Sequence, residues 1–257
     1  MAGMAGMDSY ARHAEVWGYF AGDRTEEAAF WEALAGRYGR RALALMAATG
    51  EMAAILARRG FTITAVDLIP EMVAEGRRRY ADLPGLRFTI GNVTALQLEP
   101  PAYDFAFASD FNHLLTPESF RAALHSVGRH LHPGGGLALE LWQPTAESWA
   151  TERRRFDTFV SPTDTGLHPT FTRTWKEGRT IYDAPTRRVT IEQEVFIQRG
   201  AQVEQFSHNF SLQIYTREEI TAFLQDTGFR ITKEYGSYDR SPWTAESGKW
   251  IVEAEKY

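Results

Sequence analysis

The sequence predicts an α/β fold: a doubly wound, mostly parallel seven-stranded sheet with an inserted antiparallel β lid. Three observations predict it. Apolar strand-like runs alternate with amphipathic helix-like runs from residue 41 to residue 145, the pattern of βαβ units and a parallel sheet. After Pro144 the chain becomes rich in Thr, Val, Phe, Tyr and Arg, with alternation as in Arg188-Val189-Thr190-Ile191-Glu192; a period of two marks half-buried strands. The chain then returns to one capped helix and two more strand-like runs.

Residues 10–38 predict a helical N-terminal cap, because Tyr10, Ala14, Trp17, Phe30, Trp31, Leu34 and Tyr38 recur at spacings near three and four. Residues 43–46 predict the first strand and 51–59 the first crossover helix. Residues 61–66 are a β-branched strand ending at Asp67. Pro70 opens the next helix, to about residue 80, at the position where a missing N–H is tolerated. Strands follow at 86–90 and 103–108, then a helix from Pro117 to about residue 131. Pro133-Gly134-Gly135-Gly136 reads as a turn before a strand at 137–142. In the lid, Gly178 and Arg199-Gly200 are turn signals. Thr216-Arg217-Glu218-Glu219 resembles a capping box, its helix stops at Gly228, and strands at 230–235 and 249–254 close the sheet. The expected organisation is one domain over 1–257: cap 1–40, core 41–145 and 214–257, and lid 146–213.

Composition narrows the function. With 257 residues, 44% hydrophobic, the chain can bury one sizeable core. A net charge of −5, with 24% charged residues scattered, offers no basic surface to nucleic acid or an anionic membrane. Arg77-Arg78-Arg79 and Arg153-Arg154-Arg155 sit near acidic residues and read as solvated helix faces. No cysteine is present, which excludes thiol chemistry and disulfides. The 7 histidines show no His-x-x-x-His spacing, so no metal is expected. The first residues lack the basic region and apolar core of a signal peptide, and no apolar run is long enough to span a bilayer. A cytoplasmic protein acting on a small molecule is expected, and homo-oligomers are left open.

The most informative stretch is Ala44-Leu45-Met46-Ala47-Ala48-Thr49-Gly50, a tight strand-to-helix turn. It resembles motif I of the class I S-adenosylmethionine-dependent methyltransferases, acidic-x-Gly-x-Gly-x-Gly. On that pattern the acidic position is Ala44, the glycines are Met46 and Ala48, and only Gly50 survives. Further resemblance lies in Val66-Asp67-Leu68-Ile69-Pro70-Glu71-Met72, Gly91-Asn92-Val93, Tyr103-Asp104-Phe105-Ala106-Phe107-Ala108 and Leu131-His132-Pro133-Gly134-Gly135. The C-terminal run with Tyr215-Thr216-Arg217-Glu218-Glu219 is similar to small-molecule enzymes of bacterial secondary metabolism.

The resemblance implies a cofactor site at Met46, Ala48, Gly50, Asp67, Leu68, Asn92 and Val93. Glycine serves in such loops because a Cβ collides with the approaching ligand. Met46 adds side-chain atoms toward the methionine end, and Ala44 removes the carboxylate that holds the cofactor's amino group in the family. On that crowding the site reads as vestigial and no cofactor is expected, S-adenosylmethionine being the ligand only if the divergent loop still accepts it. Asp67 stands either where a carboxylate takes ribose hydroxyls or as a cap of the next helix. Asn92 replaces the family's usual Asp.

Substrates of open α/β sheets bind above the carboxyl ends of the strands. Asp110 and His113 follow the fourth strand there, and a carboxylate beside an imidazole suits acid–base work; the other reading is a turn former and a packed loop histidine. Glu140, in an otherwise apolar strand, is either at the ligand mouth or paired with an arginine. His208 in the lid completes the catalytic candidates. Tyr10, Trp17, Tyr19, Phe111, Trp142, Arg173, Trp175 and Tyr215 are candidates to enclose an aromatic or amine substrate. Gln213 stands where the family has an arginine.

The leading reading is an enzyme of natural-product biosynthesis repurposed to a cofactor-free cyclisation or condensation of Pictet–Spengler type. The alternative is an active N- or O-methyltransferase. A third is a non-catalytic partner of another enzyme.

Overall fold

The computed structural model describes residues 4–20, 23–99, 103–143, 154–158 and 173–257. Five parallel strands form the body of the main sheet: β1 (Arg41–Leu45), β2 (Thr62–Asp67), β3 (Leu86–Ile90), β4 (Tyr103–Ala108) and β5 (Leu131–Trp142). Their spatial order is β3-β2-β1-β4-β5, extended by β12 (Lys249–Lys256) and β11 (Phe229–Tyr235). β12 runs antiparallel to both of its neighbours. The strands read as continuous apolar runs because helices cover both faces. On one face lie α2 (Thr25–Tyr38), α3 (Glu51–Arg58) and α4 (Pro70–Arg79), and on the other α5 (Pro117–Gly128) and α6 (Arg217–Asp226). α5 and α6 both begin with complete capping boxes, at Thr116 and Thr216.

The second sheet is antiparallel: β10 (Phe210–Gln213), β8 (Arg188–Arg199), β7 (Arg173–Asp183) and β6 (Arg154–Thr158) in that order, with β9 (Gln202–Ser207) also pairing with β8. This is the inserted lid. Among the described residues no helix is long and apolar enough to cross a membrane.

Four expectations need correction. The cap is α1 (Met4–His13), a short 3-10 turn at Trp17–Phe20 and α2 rather than a continuous helix. α1 ends at His13, and Gly18, inside the 3-10 turn, approaches so closely that a Cβ there would collide with the Glu51 carboxylate and the Arg79 guanidinium. Pro133–Gly136 belong to β5; Gly136 lies under the Tyr38 ring, and the register shift between Tyr103 and Phe105 absorbs the irregularity. Gly178 sits inside β7 opposite Gln193, where a Cβ would stand 2.5 Å from the Glu192 carbonyl; the turn comes at 184–187, with Arg187 left-handed. Arg154 and Arg155 lie in β6, not on a helix, and Arg153 lies outside the described residues.

Candidate active site at the carboxyl edge of the sheet

The strand order reverses between β1 and β4, and such a switch point opens a crevice at the carboxyl ends of the strands. Residues 46–50 form its floor. Three of them are left-handed: Met46 at φ 49°, Ala48 at φ 48° and Gly50 at φ 82°. Glycine accepts this conformation freely, whereas a side chain raises the cost by roughly 1–2 kcal/mol per residue. Surrounding bonds hold it: Ala47 N–H to the Val66 carbonyl (2.9 Å), Gly50 N–H to the Ala47 carbonyl (2.8 Å) and Ala48 N–H to Asp67 Oδ2 (2.7 Å). Gly50 is fixed by space as well, since a Cβ would stand 2.4 Å from the Phe88 ring. Ala44 is buried in the core between Ala65 and Phe107, and Met46 packs against the cluster that contains Phe111 and Leu141.

Asp67 Oδ1 accepts the Ile69 N–H at 2.9 Å, a turn just ahead of α4, whose own N-cap, Ile69, has no side-chain cap. Burial raises its carboxyl, and the backbone N–H groups of Ile69, Ala48 and Leu68 pull the other way. A carboxylate oxygen has a second acceptor site, so this bonding leaves capacity for a ligand hydroxyl. Beside it Leu68 and Ile90 leave 45% and 49% of their surface open, an apolar flank for a flat ring. Asn92 is exposed, its Oδ1 accepting from Thr94 N (3.0 Å) and Oγ1 (2.8 Å). Val93 is a correction: it is buried in the core below the crevice.

A second group closes the crevice from above. Tyr10 packs edge-on to His208 at 4.4 Å and lies 6.2 Å from His113, whose ring is 5.4 Å from Phe210. His13 packs on Trp17 (4.9 Å) and His208 (4.6 Å). Ser9 Oγ hydrogen-bonds His208 Nδ1 at 3.0 Å. Burial pushes His113 down to about 4 and His208 to about 3, the latter helped by Lys176 and His113. Both imidazoles are therefore neutral near pH 7. Lys176 of β7 is lowered to about 8 by burial and places Nζ 4.0 Å from the Phe20 ring centroid.

A third group lies toward α2. Glu140 pairs with Lys249 Nζ (3.1 Å) and accepts the Tyr238 hydroxyl at 2.6 Å. Its expected partner was an arginine; the lysine comes from the antiparallel neighbour β12. Burial raises the Glu140 carboxyl despite Lys249. Arg24 forms a two-point pair with Glu27 at 2.7 and 2.6 Å.

The expected Asp110–His113 pairing does not form: no hydrogen bond joins them among the described residues, and their surroundings differ. Lys249, Glu27 and Arg24 act on Asp110, while His113 lies among Tyr10, His208 and Phe210. Phe111 and Tyr215 are core rather than substrate residues. Both pack on Phe120, and the Tyr215 hydroxyl donates to the Leu114 carbonyl at 2.6 Å. Trp175 stacks on Phe196 within the lid sheet at 4.9 Å, under the Arg173 guanidinium. Trp142 is part-buried and its backbone N–H bonds Asn112 Oδ1 at 2.7 Å. The Tyr19 side chain lies outside the described residues. Gln213 is structural, donating to the Thr186 and Arg187 carbonyls.

Sequence reasoning missed Ser9, His13, Lys176, Tyr238 and Lys249. Ser9 and His13 could have been found, since with Tyr10 they fall at i, i+1 and i+4 and residues four apart share a helix face. Lys249 carries no local signal, because strand pairing alone brings it to Glu140.

A family model described as a methyltransferase domain matches residues 42–135. Demethylmenaquinone methyltransferase of Beutenbergia cavernae is 33% identical over 142 residues, 54% of this chain and 57% of that protein. The chain thus spans little more than half the length of that relative. The CcbJ methyltransferase of Streptomyces caelestis superposes with TM-score 0.76 at 21% identity, over 96% of this chain and 98% of that one. CalS10 of Micromonospora echinaspora, an amino pentose methyltransferase solved with S-adenosylmethionine, gives TM-score 0.69 at 23% identity, over 95% of each chain. With the sheet order, these matches show that the chain has the class I methyltransferase fold and that residues 42–135 resemble a methyltransferase domain.

Proposed function

We propose that the protein is an S-adenosylmethionine-dependent methyltransferase that modifies nitrogen or oxygen of a small molecule in natural-product biosynthesis. The loop conformation carries this reading. Met46, Ala48 and Gly50 all hold the left-handed backbone of a glycine loop, in two cases against steric cost. The likeness to natural-product methyltransferases supports the acceptor class. Cofactor-free cyclisation rested on crowding by Met46 and Ala48. Met46 packs on the core cluster and Ala48 against the cluster of Ala14, Ile69 and Met72, so methylation is the better supported of the two.

The residues fit the cofactor. The 46–50 backbone would receive the amino-acid tail, Asp67 retains acceptor sites that would take ribose hydroxyls, and the exposed Leu68 and Ile90 would flank a flat base. S-adenosylmethionine, when bound, supplies an electrophilic methyl group on a sulfonium. The chain's own part is to position and orient the acceptor, the proton it loses on methylation passing to solvent. Tyr10, Trp17 and Phe210 wall off water, and alignment of reactants accounts for much of such a rate. Neutral His113 would accept a hydrogen bond from the acceptor's N–H or O–H and so orient it. With its pKa near 4, His113 orients more than it abstracts.

The test is calorimetric binding of S-adenosylmethionine, followed by methyl-label transfer to a panel of amino sugars, aromatic amines and phenols. Micromolar binding with label transfer to one class is expected. No binding, with a product formed from substrate alone, would return the cyclisation reading.

A further inference from the structure

The sheet brings an acid to the crevice from the strand beside the one that lost it. Ala44 of β1 pairs in register with Phe107 of β4, so the residues just beyond β4 stand level with the start of the 46–50 loop. Asp110 is there. It lies deep within the fold yet keeps more than a third of its surface open, so it lines the crevice rather than the core. Its backbone is left-handed, φ 58° and ψ 41°, a conformation aspartate tolerates better than most residues.

The neighbouring acids are engaged. Asp67 holds two backbone N–H groups, Glu140 holds Lys249 and Tyr238, and Glu27 holds Arg24. Among the described residues no hydrogen bond or ion pair occupies the Asp110 carboxylate; Lys249 and Arg24 are near enough to favour its charge but are paired elsewhere. Asp67 and Asp110 both act on Tyr10, raising its hydroxyl in addition to the effect of burial, so the two carboxylates flank one space below the cap.

We infer that Asp110 receives the α-ammonium group of the cofactor's amino-acid tail, supplying from β4 the negative charge that β1 lacks at Ala44. The assignment rests on the methyltransferase reading. It places the ribose at Asp67 and the ammonium at Asp110, and it leaves His113 to the acceptor.

Calorimetric titration with two nucleosides tests it. S-adenosylhomocysteine carries the tail; 5′-methylthioadenosine has the same base, ribose and sulfur without it. Asp110→Asn keeps the shape and the left-handed tolerance and removes the charge. Losing a charge-assisted hydrogen bond is expected to weaken S-adenosylhomocysteine about 10- to 100-fold, with 5′-methylthioadenosine unchanged within about twofold. The unchanged ligand also reports that the variant is folded. Equal weakening of both ligands, or of neither, overturns the assignment and leaves the methyltransferase reading standing. Failure of the unaltered protein to bind either nucleoside overturns both.

Discussion

Ala48 donates its backbone N–H to Asp67 Oδ2 at 2.7 Å, and this bond ties the crossover after β1 to the end of β2. The second Asp67 oxygen accepts the Ile69 N–H just ahead of α4. One side chain thus ties together the two loops at this end of the crevice. Asp67→Ala leaves two N–H groups without an acceptor and is expected to cost about 3 kcal/mol, read from urea unfolding. Asp67→Asn, which keeps one acceptor oxygen, should cost less.

Relief of strain should be measurable at the neighbouring position. Ala48→Gly removes the Cβ from a left-handed residue and is expected to gain up to about 1 kcal/mol, offset partly by a looser unfolded chain. The readouts are the thermal midpoint and S-adenosylmethionine affinity. A lower midpoint would contradict the strain account. Ala48→Val should fail in the opposite direction, because a β-branched residue at positive φ is an outlier.

Stability should fall on mild acidification. His113 and His208 titrate near 4 and 3 in the fold, against 6.5 in the unfolded chain. Between those values the unfolded state binds more protons, so stability rises with pH there and declines as pH falls from about 6.5 toward 4. Urea midpoints measured across that range should show the slope, and His208→Gln should flatten it.

The Glu140–Lys249 pair should behave as a recessed ion pair. Lys249→Met leaves a buried carboxylate with only Tyr238 and is expected to destabilise by about 3 kcal/mol. The double variant Glu140→Leu/Lys249→Met should recover most of that loss in thermal unfolding. A double variant as unstable as the single one would mean that packing, not charge, sets the cost.

Tyr215→Phe separates core from site. Its hydroxyl reaches the Leu114 carbonyl, so the change should cost about 1 kcal/mol of stability and leave methyl-transfer KM unaltered. A raised KM would restore Tyr215 to the substrate.

Much of the fold was legible because its signals are local. Strand periods, Pro70 and Pro117 at helix starts, and the Thr216 capping box each act within a few residues, and the structure has them all. Gly178 misled because a glycine demanded by close approach across two strands looks the same in sequence as one demanded by a turn. At the site, Tyr10, His113 and His208 were readable as residue types in the cap, beyond a strand end and in the lid. Their assembly depends on α1 crossing from the crevice to the lid, which no spacing reveals. Asp110 and His113 are three residues apart but face different neighbours, since the left-handed backbone at Asp110 turns the chain between them.

Asn112 accepts the Trp142 N–H with Oδ1 and donates from Nδ2 to the Gln213 carbonyl at 2.9 Å. Those two partners are the last residue of β5 and the last of β10, where the chain leaves for the insertion and where it returns. A single amide fastens both exits. Both ends of the inserted segment are thereby pinned to the rim of the sheet by one side chain, so the roof and the foundations share a fastening.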